Sequence, residues 1–314
     1  MPRFIIASRF KNVADRMPWL ERAIWRSEAG LLDLLWGSAR RLSPDRASAL
    51  GYRVGRLLGS RSRKNRHVLA NLATAFPDWP EARLADVARA SWGEVGRTVA
   101  EFPHLAAIAG EPERAQIVDL GGIEAVKASG RPAIFVAPHL ANWNLLPIAA
   151  VRSGVKLSAL YSPQSNPFID ARIKESQRAL RCRLIAVEDG RGMLKDLKEG
   201  RSIGLLMDQR FDAGEMIPFF GHPAATPVAP ARLAVKLGIP FVPCRVERLE
   251  GAHFRVTIHP PVRPDTDLEP RLAARAMVEQ VNHLFEAWIR AAPEQWLCAK
   301  RRWPKKSELP GGAA

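Results

Sequence analysis

The sequence predicts an α/β fold: a central, mostly parallel sheet with flanking helices, preceded by a helical N-terminal region. Three observations predict it. From about residue 132, short apolar runs alternate with stretches of helical periodicity, the pattern of strands covered by helices on both faces. Upstream, between residues 12 and 110, apolar positions recur at three- and four-residue spacing instead. With 314 residues and 47% hydrophobic content, the chain is long and apolar enough to bury a large core.

Residues 1–110 are expected to form a basic helical region packed on the rest and associated with a membrane. Within it, Leu84, Val87, Ala88, Val95 and Val99 mark a helix over 82–100, and Pro44, Pro77, Pro80 and Pro103 are breaks. Residues 111–305 are expected to form the α/β domain, and 306–314 a flexible tail rich in Gly, Pro and Ala. Strands are expected at 133–137, 157–161, 183–187, 202–207, 240–247 and 254–259. Helices are expected at 142–152, 167–180, 228–237 and 271–290, the third capped by Thr226 ahead of Pro227. No internal repeat is visible.

The 47 Lys and Arg against 32 Asp and Glu leave a net charge of +15, a field that attracts anionic partners. The first 66 residues alone hold 15 basic against 5 acidic side chains, so the surplus is concentrated there. In that region Trp19, Trp25 and Trp36 stand among Arg16, Arg22, Arg26 and Arg40. The mixture suits either a helix lying in a headgroup layer or an ordinary packed helix with a solvated basic face. The apolar run from Gly30 to Trp36 is interrupted by Asp33 and closed by Arg40 and Arg41, too short for a transmembrane span or a cleavable signal. Cys182, Cys244 and Cys298 are far apart and lack ligand spacing, so no disulfide or metal site is expected and a reducing cytoplasm fits. A pI near 10.5 raises nucleic acid as a partner, but no basic base-reading helix, zinc ligand set or aromatic platform accompanies it. No Gly-x-Ser-x-Gly elbow, P-loop or dinucleotide fingerprint is present, so hydrolase, nucleotide and hydride chemistry and their cofactors are not expected.

The segment Ile134-Phe135-Val136-Ala137-Pro138-His139 reads as a buried strand that delivers His139 to the C-terminal edge of the sheet, where open α/β sheets place their sites. A histidine there is either a hydrogen-bonded loop residue or a general base. A base needs one ring nitrogen for a substrate hydroxyl proton and the other held in one tautomer by a neighbour.

The surroundings carry more information than the histidine does. His139-Leu140-Ala141-Asn142-Trp143 is followed by Tyr161 to Pro167 (Tyr-Ser-Pro-Gln-Ser-Asn-Pro) and Asp208-Gln209. Next come Pro218-Phe219-Phe220-Gly221-His222-Pro223-Ala224-Ala225-Thr226, then Pro293-Glu294-Gln295-Trp296 and Arg301-Arg302-Trp303. This ordered set, over roughly residues 30 to 303, resembles the late acyltransferases of lipid A biosynthesis, within the glycerolipid acyltransferase superfamily. The resemblance implies transfer of a fatty acyl chain from an acyl carrier protein or acyl-CoA thioester to a hydroxyl of an anionic membrane glycolipid. It also implies a peripheral position at the cytoplasmic face of a bacterial inner membrane, and no cofactor.

By the same resemblance His139 is the catalytic base, with Asn142 and Trp143 beside it as substrate-binding residues. The family signature is His, four residues, then Asp or Glu, and here that last position holds Asn144. An amide orients an imidazole without neutralising the imidazolium. In the serine-protease triad the corresponding change costs about 10⁴ in rate. Three alternatives follow: Asn144 suffices, another carboxylate among Asp170, Glu188, Asp189 and Asp208 substitutes, or the protein is catalytically impaired and serves as an acyl-lipid-binding or membrane-enzyme partner. Arg178 is a candidate for the oxyanion or a phosphate, or a solvated helix charge. Asp208 and Gln209 end a strand at the edge shared with His139, or simply make a turn. Phe219 and Phe220 line an acyl groove or fill the core, with Gly221 making the turn. Trp296 and Trp303, with Lys300, Arg301 and Arg302, suit an anionic leaflet or a phosphorylated sugar.

Overall fold

A computed structural model describes residues 17–304. The tail expected at 306–314 and the first sixteen residues of the basic region lie outside the described residues. The helical region comprises α1 (Pro18–Ala39), α2 (Pro44–Gly59), α3 (Asn65–Ala75), α4 (Glu81–Glu101) and, after a 3₁₀ turn at Phe102–His104, α5 (Leu105–Gly110). Local chemistry sets the starts: Ser43 accepts the Arg46 N–H and Pro44 occupies the first turn of α2, where its missing donor costs nothing. α2 lies close on α4 because glycines face each other. A Cβ on Gly96 would overlap the Gly51 carbonyl oxygen, and one on Gly93 would overlap the Tyr52 ring. No helix among the described residues is long and apolar enough to cross a membrane.

The α/β part continues β1 (Ala115–Asp119), α6 (Gly122–Ser129), β2 (Ile134–Ala137), α7 (Pro147–Arg152), β3 (Leu157–Tyr161), α8 (Pro167–Arg178), β4 (Arg183–Ala186), α9 (Gly190–Lys198) and β5 (Ser202–Leu206). A hairpin of β6 (Glu215–Phe219) and β7 (His222–Thr226) follows. Then come α10 (Ala229–Leu237), β8 (Phe241–Arg248), β9 (Phe254–Ile258) and α11 (Pro270–Ala291). Seven strands form one sheet in the order β1-β9-β8-β2-β5-β3-β4. It is mostly parallel, the exception being the antiparallel pair β8 and β9.

The central strands are buried on both faces. Along β2, Ile134 and Val136 face the cluster built with Ala274, Val278, Val281 and Phe285 of α11, whereas Phe135 and Ala137 face Leu145, Ile148 and Ala149 on the other side. Each such large apolar side chain contributes about 1.5–3 kcal/mol by leaving water. The expected strands are all present within two residues of their predicted bounds. β1, β6 and β7 are additional: the Gln116 of β1 and its partial exposure at the sheet edge hide it from an apolar-run criterion, and prolines interrupt the two hairpin strands. The helix expected at 142–152 is a 3₁₀ turn at Trp143–Leu145 followed by α7, which begins at Pro147. Thr226 does not cap α10; it ends β7, and Val228 precedes the helix.

Candidate functional site

The site grows out of strand register. Ala137 on β2 pairs with Leu206 on the neighbouring parallel strand β5. Both strands end there, and the residues two places beyond are His139 and Asp208, so the pairing that aligns the strands also aligns these side chains. The His139 Nδ1–H donates to Asp208 Oδ1 at 2.6 Å. That bond fixes the tautomer and leaves Nε2, with its lone pair, as the ring's acceptor nitrogen. The His139 side chain keeps 17% of its surface open, whereas that of Asp208 is fully enclosed.

Asp208 is ionised despite its burial. Enclosure pushes its carboxyl upward, but the charge and hydrogen bond of His139 and the indole N–H of Trp296 outweigh this and hold it below the usual carboxylate range. Trp296 donates to Oδ2 at 2.9 Å. Its backbone also straps the histidine loop: Leu140 bridges Trp296, the Ala141 N–H donates to the Gln295 carbonyl at 2.9 Å, and the Leu297 N–H donates to the His139 carbonyl at 2.9 Å. Held between these bonds, Ala141 adopts φ 48°, a left-handed conformation that costs a non-glycine residue about 1–2 kcal/mol.

The other expected residues divide into near and far. Trp143 meets the His139 ring edge to face, 5.1 Å between centroids. Asn144 is buried beside it but its amide is directed elsewhere, donating to Asn142 Oδ1 at 3.0 Å and accepting from Gln177 Nε2 at 2.9 Å. Asn142 in turn donates to Glu101 Oε2 at 2.9 Å. Gln209 follows Asp208 and is partly exposed. Arg178 stands apart from this cluster, its side chain 78% exposed and paired with Glu175 at 2.5 Å.

Phe219 and Phe220 belong to a sealed aromatic cluster with Trp296, Trp303 and Phe76. Gly221 completes the tight hairpin turn: Phe220 at φ 51° and Gly221 at φ 74° are both left-handed, as a two-residue turn between twisted strands requires. The Phe220 N–H donates to Glu286 Oε1 at 2.7 Å. The leaflet-facing reading of Trp296, Arg302 and Trp303 is corrected by their burial: all three are at most 6% exposed. Arg302 donates to the Ala225 carbonyl at 2.8 Å and to Thr226 Oγ1 at 2.7 Å, with its guanidinium 4.9 Å from the Phe219 ring centre. Burial pushes its pKa down to about 10, against the opposing pull of the Asp208 carboxylate. Trp36 likewise turns inward, stacked on Phe102 and donating to the Val99 carbonyl at 3.1 Å.

A second layer joins the site to the helical region. Arg248, at the end of β8, donates to Glu94 Oε2 at 2.6 Å and to Glu101 Oε1 at 2.5 Å, both on α4. The Asn142 amide closes this network against the histidine loop. Trp296 belongs to a motif visible in the sequence, but Glu101 and Arg248 carried no signal there, since a lone charge on a helix or strand looks like a solvated one. Among the described residues no group of three or more His, Cys, Asp or Glu side chains converges as a metal site.

Comparison with known proteins agrees with this architecture. Residues 30–305 match the family of bacterial lipid A biosynthesis acyltransferases. The chain is 26% identical over 267 residues to a lipid A biosynthesis acyltransferase of Haemophilus influenzae, covering 82% of this chain and 81% of that protein. It is also 26% identical over 255 residues to lipid A biosynthesis acyltransferase 2 of Shigella flexneri, covering 78% and 79%. A phosphatidylinositol mannoside acyltransferase of Mycolicibacterium smegmatis is 21% identical over 197 residues, covering 61% and 63%. A match that spans the helical region, the His139 loop, Asp208 and the Trp296 strap takes in the whole site, and the chain therefore belongs to the bacterial lipid A biosynthesis acyltransferase family.

Proposed function

We propose that this protein is an O-acyltransferase that moves a fatty acyl chain from an acyl carrier protein or coenzyme A thioester to a hydroxyl of an anionic membrane glycolipid, a lipid A precursor or a relative of it. The observation that carries the reading is the 2.6 Å bond from His139 to a buried, ionised Asp208 at the open edge of the sheet. In this mechanism His139 Nε2 removes the proton of the acceptor hydroxyl as its oxygen attacks the thioester carbonyl. Asp208 stabilises the imidazolium that forms. The tetrahedral intermediate then collapses to the ester and expels the thiolate, which takes the proton back from the imidazolium.

Asp208 supplies the carboxylate that Asn144 lacks, which favours an active enzyme over an impaired, lipid-binding family member. Asn144 instead shapes the pocket wall with Asn142 and Gln177. Arg178, exposed and paired only with the exposed Glu175, suits a phosphate of donor or acceptor better than a buried oxyanion. The +15 net charge suits an acidic carrier, an anionic acceptor and a peripheral position at the cytoplasmic face of the membrane.

The test is direct. Purified protein is incubated with acyl-carrier-protein or acyl-CoA donors and with under-acylated lipid A precursor or phosphatidylinositol mannoside, and products are read by mass spectrometry. Transfer that is lost in His139→Ala is expected. Transfer at the wild-type rate by His139→Ala, or none from any donor and acceptor pair, would overturn the reading.

A further inference from the structure

Helix α2 is built inside out for a water-facing helix. Its inward face is a row of glycines four residues apart, Gly51, Gly55 and Gly59, set against Trp92, Gly93 and Gly96 of α4 so closely that no Cβ fits between them. Its leucines point the other way: Leu50, Val54, Leu57 and Leu58 are 52%, 46%, 56% and 62% exposed. In a water-soluble helix the leucines pack and the small polar residues are exposed. Small residues at the helix contact with leucines outside is the arrangement of helices whose surroundings are themselves apolar. α1, which reaches α4 through Trp36 and Val99, exposes Leu31, Leu34 and Leu35. Exposed apolar rows of this kind on a folded chain mark an interaction surface.

The charge beside it identifies what covers it. Arg46 and Arg53 border the leucine stripe on α2, both exposed, and the next residues bring Arg61, Arg63, Lys64 and Arg66. Leucines flanked by arginines match acyl chains beneath anionic headgroups, which attract each basic residue held near the surface. A protein partner of the same shape would need a matching acidic rim, and a second copy of this chain presents the same positive charge.

We infer that the outer face of α2, extended by α1, is the surface on which this protein docks to an anionic leaflet. α4 is the spacer between that leaflet and the chemistry. One side of α4 carries the glycines that receive α2, and another carries Thr98, whose hydroxyl donates to the Ala141 carbonyl at 3.3 Å, and Glu101, which holds Asn142. α4 thus lies between α2 and the His139 loop, and the facing glycines let α2 pack on it backbone to backbone. The surface deepens the membrane-lipid acceptor proposed above and shares that premise, but vesicle binding tests it without any catalytic step.

The experiment compares wild type with Leu50→Gln/Val54→Gln/Leu57→Gln/Leu58→Gln and with Arg46→Glu/Arg53→Glu in co-sedimentation with phosphatidylglycerol and phosphatidylcholine vesicles. Circular dichroism melting verifies that each variant is folded. Wild type is expected to pellet with phosphatidylglycerol and much less with phosphatidylcholine. Both variants are expected to lose binding at least tenfold, and salt is expected to release wild type. Vesicle binding by either folded variant at the wild-type level, or equal wild-type binding to both lipids, would overturn the inference. So would a wild-type dimer in sedimentation velocity that the glutamine variant abolishes. Acyl transfer to a detergent-dispersed acceptor should persist in both variants, which separates a failed docking surface from a failed acyltransferase reading.

Discussion

Trp296 donates its indole N–H to Oδ2 of Asp208 at 2.9 Å while its backbone neighbours Gln295 and Leu297 bond Ala141 and His139 in the loop after β2. One residue near the end of the described chain therefore fixes both the carboxylate and the histidine that it orients.

Removing that indole donor is expected to weaken the pair without dismantling it. A hydrogen bond to a charged group is worth about 1.5–3 kcal/mol, so Trp296→Phe should lower kcat/KM roughly tenfold to a hundredfold. With one fewer donor on the carboxylate, the pair binds a proton more readily, and the acid limb of the pH-rate profile should move to higher pH. An unmoved limb would assign Trp296 to packing alone.

Asp208 and Asn144 are expected to behave oppositely. Asp208→Asn should reduce kcat by about 10²–10⁴ with little change in KM, because it removes stabilisation of the imidazolium. Asn144→Ala should cost less than about tenfold, since its amide bonds Asn142 and Gln177 rather than the His139 ring. Steady-state kinetics on the two variants decides between Asp208 and Asn144 as the histidine's partner.

The depressed pKa of Asp208 makes part of the stability acid-sensitive. Its carboxyl is ionised in the fold at pH values where the unfolded chain, titrating at about 3.9, has begun to bind the proton. The resulting stabilisation is present above that unfolded value and is lost as pH falls through the lower folded one. Thermal melts between about pH 6 and 2 should show a shallower acid decline for Asp208→Asn than for wild type.

Arg248 neutralises Glu94 and Glu101 inside the protein, with its side chain only 5% exposed. Arg248→Met leaves Glu101 enclosed without a counter-charge and Glu94 with Arg97 alone, at 3.0 Å, and removing one partner of a buried ion pair costs about 3–5 kcal/mol. A lowered melting temperature is expected, and adding Glu94→Gln and Glu101→Gln to the same protein should restore part of it. No recovery in the triple variant would mean that Arg248 acts through its packing on Phe254, 4.6 Å from its guanidinium to the ring centre.

The sequence by itself determined the layer architecture, because strands buried on both faces must be written as unbroken apolar runs and amphipathic helices must repeat every three or four residues. It determined the position of His139 and offered Asp208 for the same reason: both stand at the ends of such runs, and parallel neighbours end at one edge. The order of Tyr161 to Pro167, Phe219 to Thr226 and Pro293 to Trp296 added the family. Which carboxylate meets the imidazole was decided only by tertiary structure, since residues 139 and 208 are brought together by the pairing of Ala137 with Leu206, a contact that spacing along the chain does not encode. The same holds for Trp296 and Trp303, which read as surface aromatics among arginines yet are sealed against Phe219 and Phe220, and for α2, whose leucines look like core until Gly51, Gly55 and Gly59 are seen to occupy the inward face. Periodicity states that a helix has two faces; only the neighbouring helix decides which of them is turned inward.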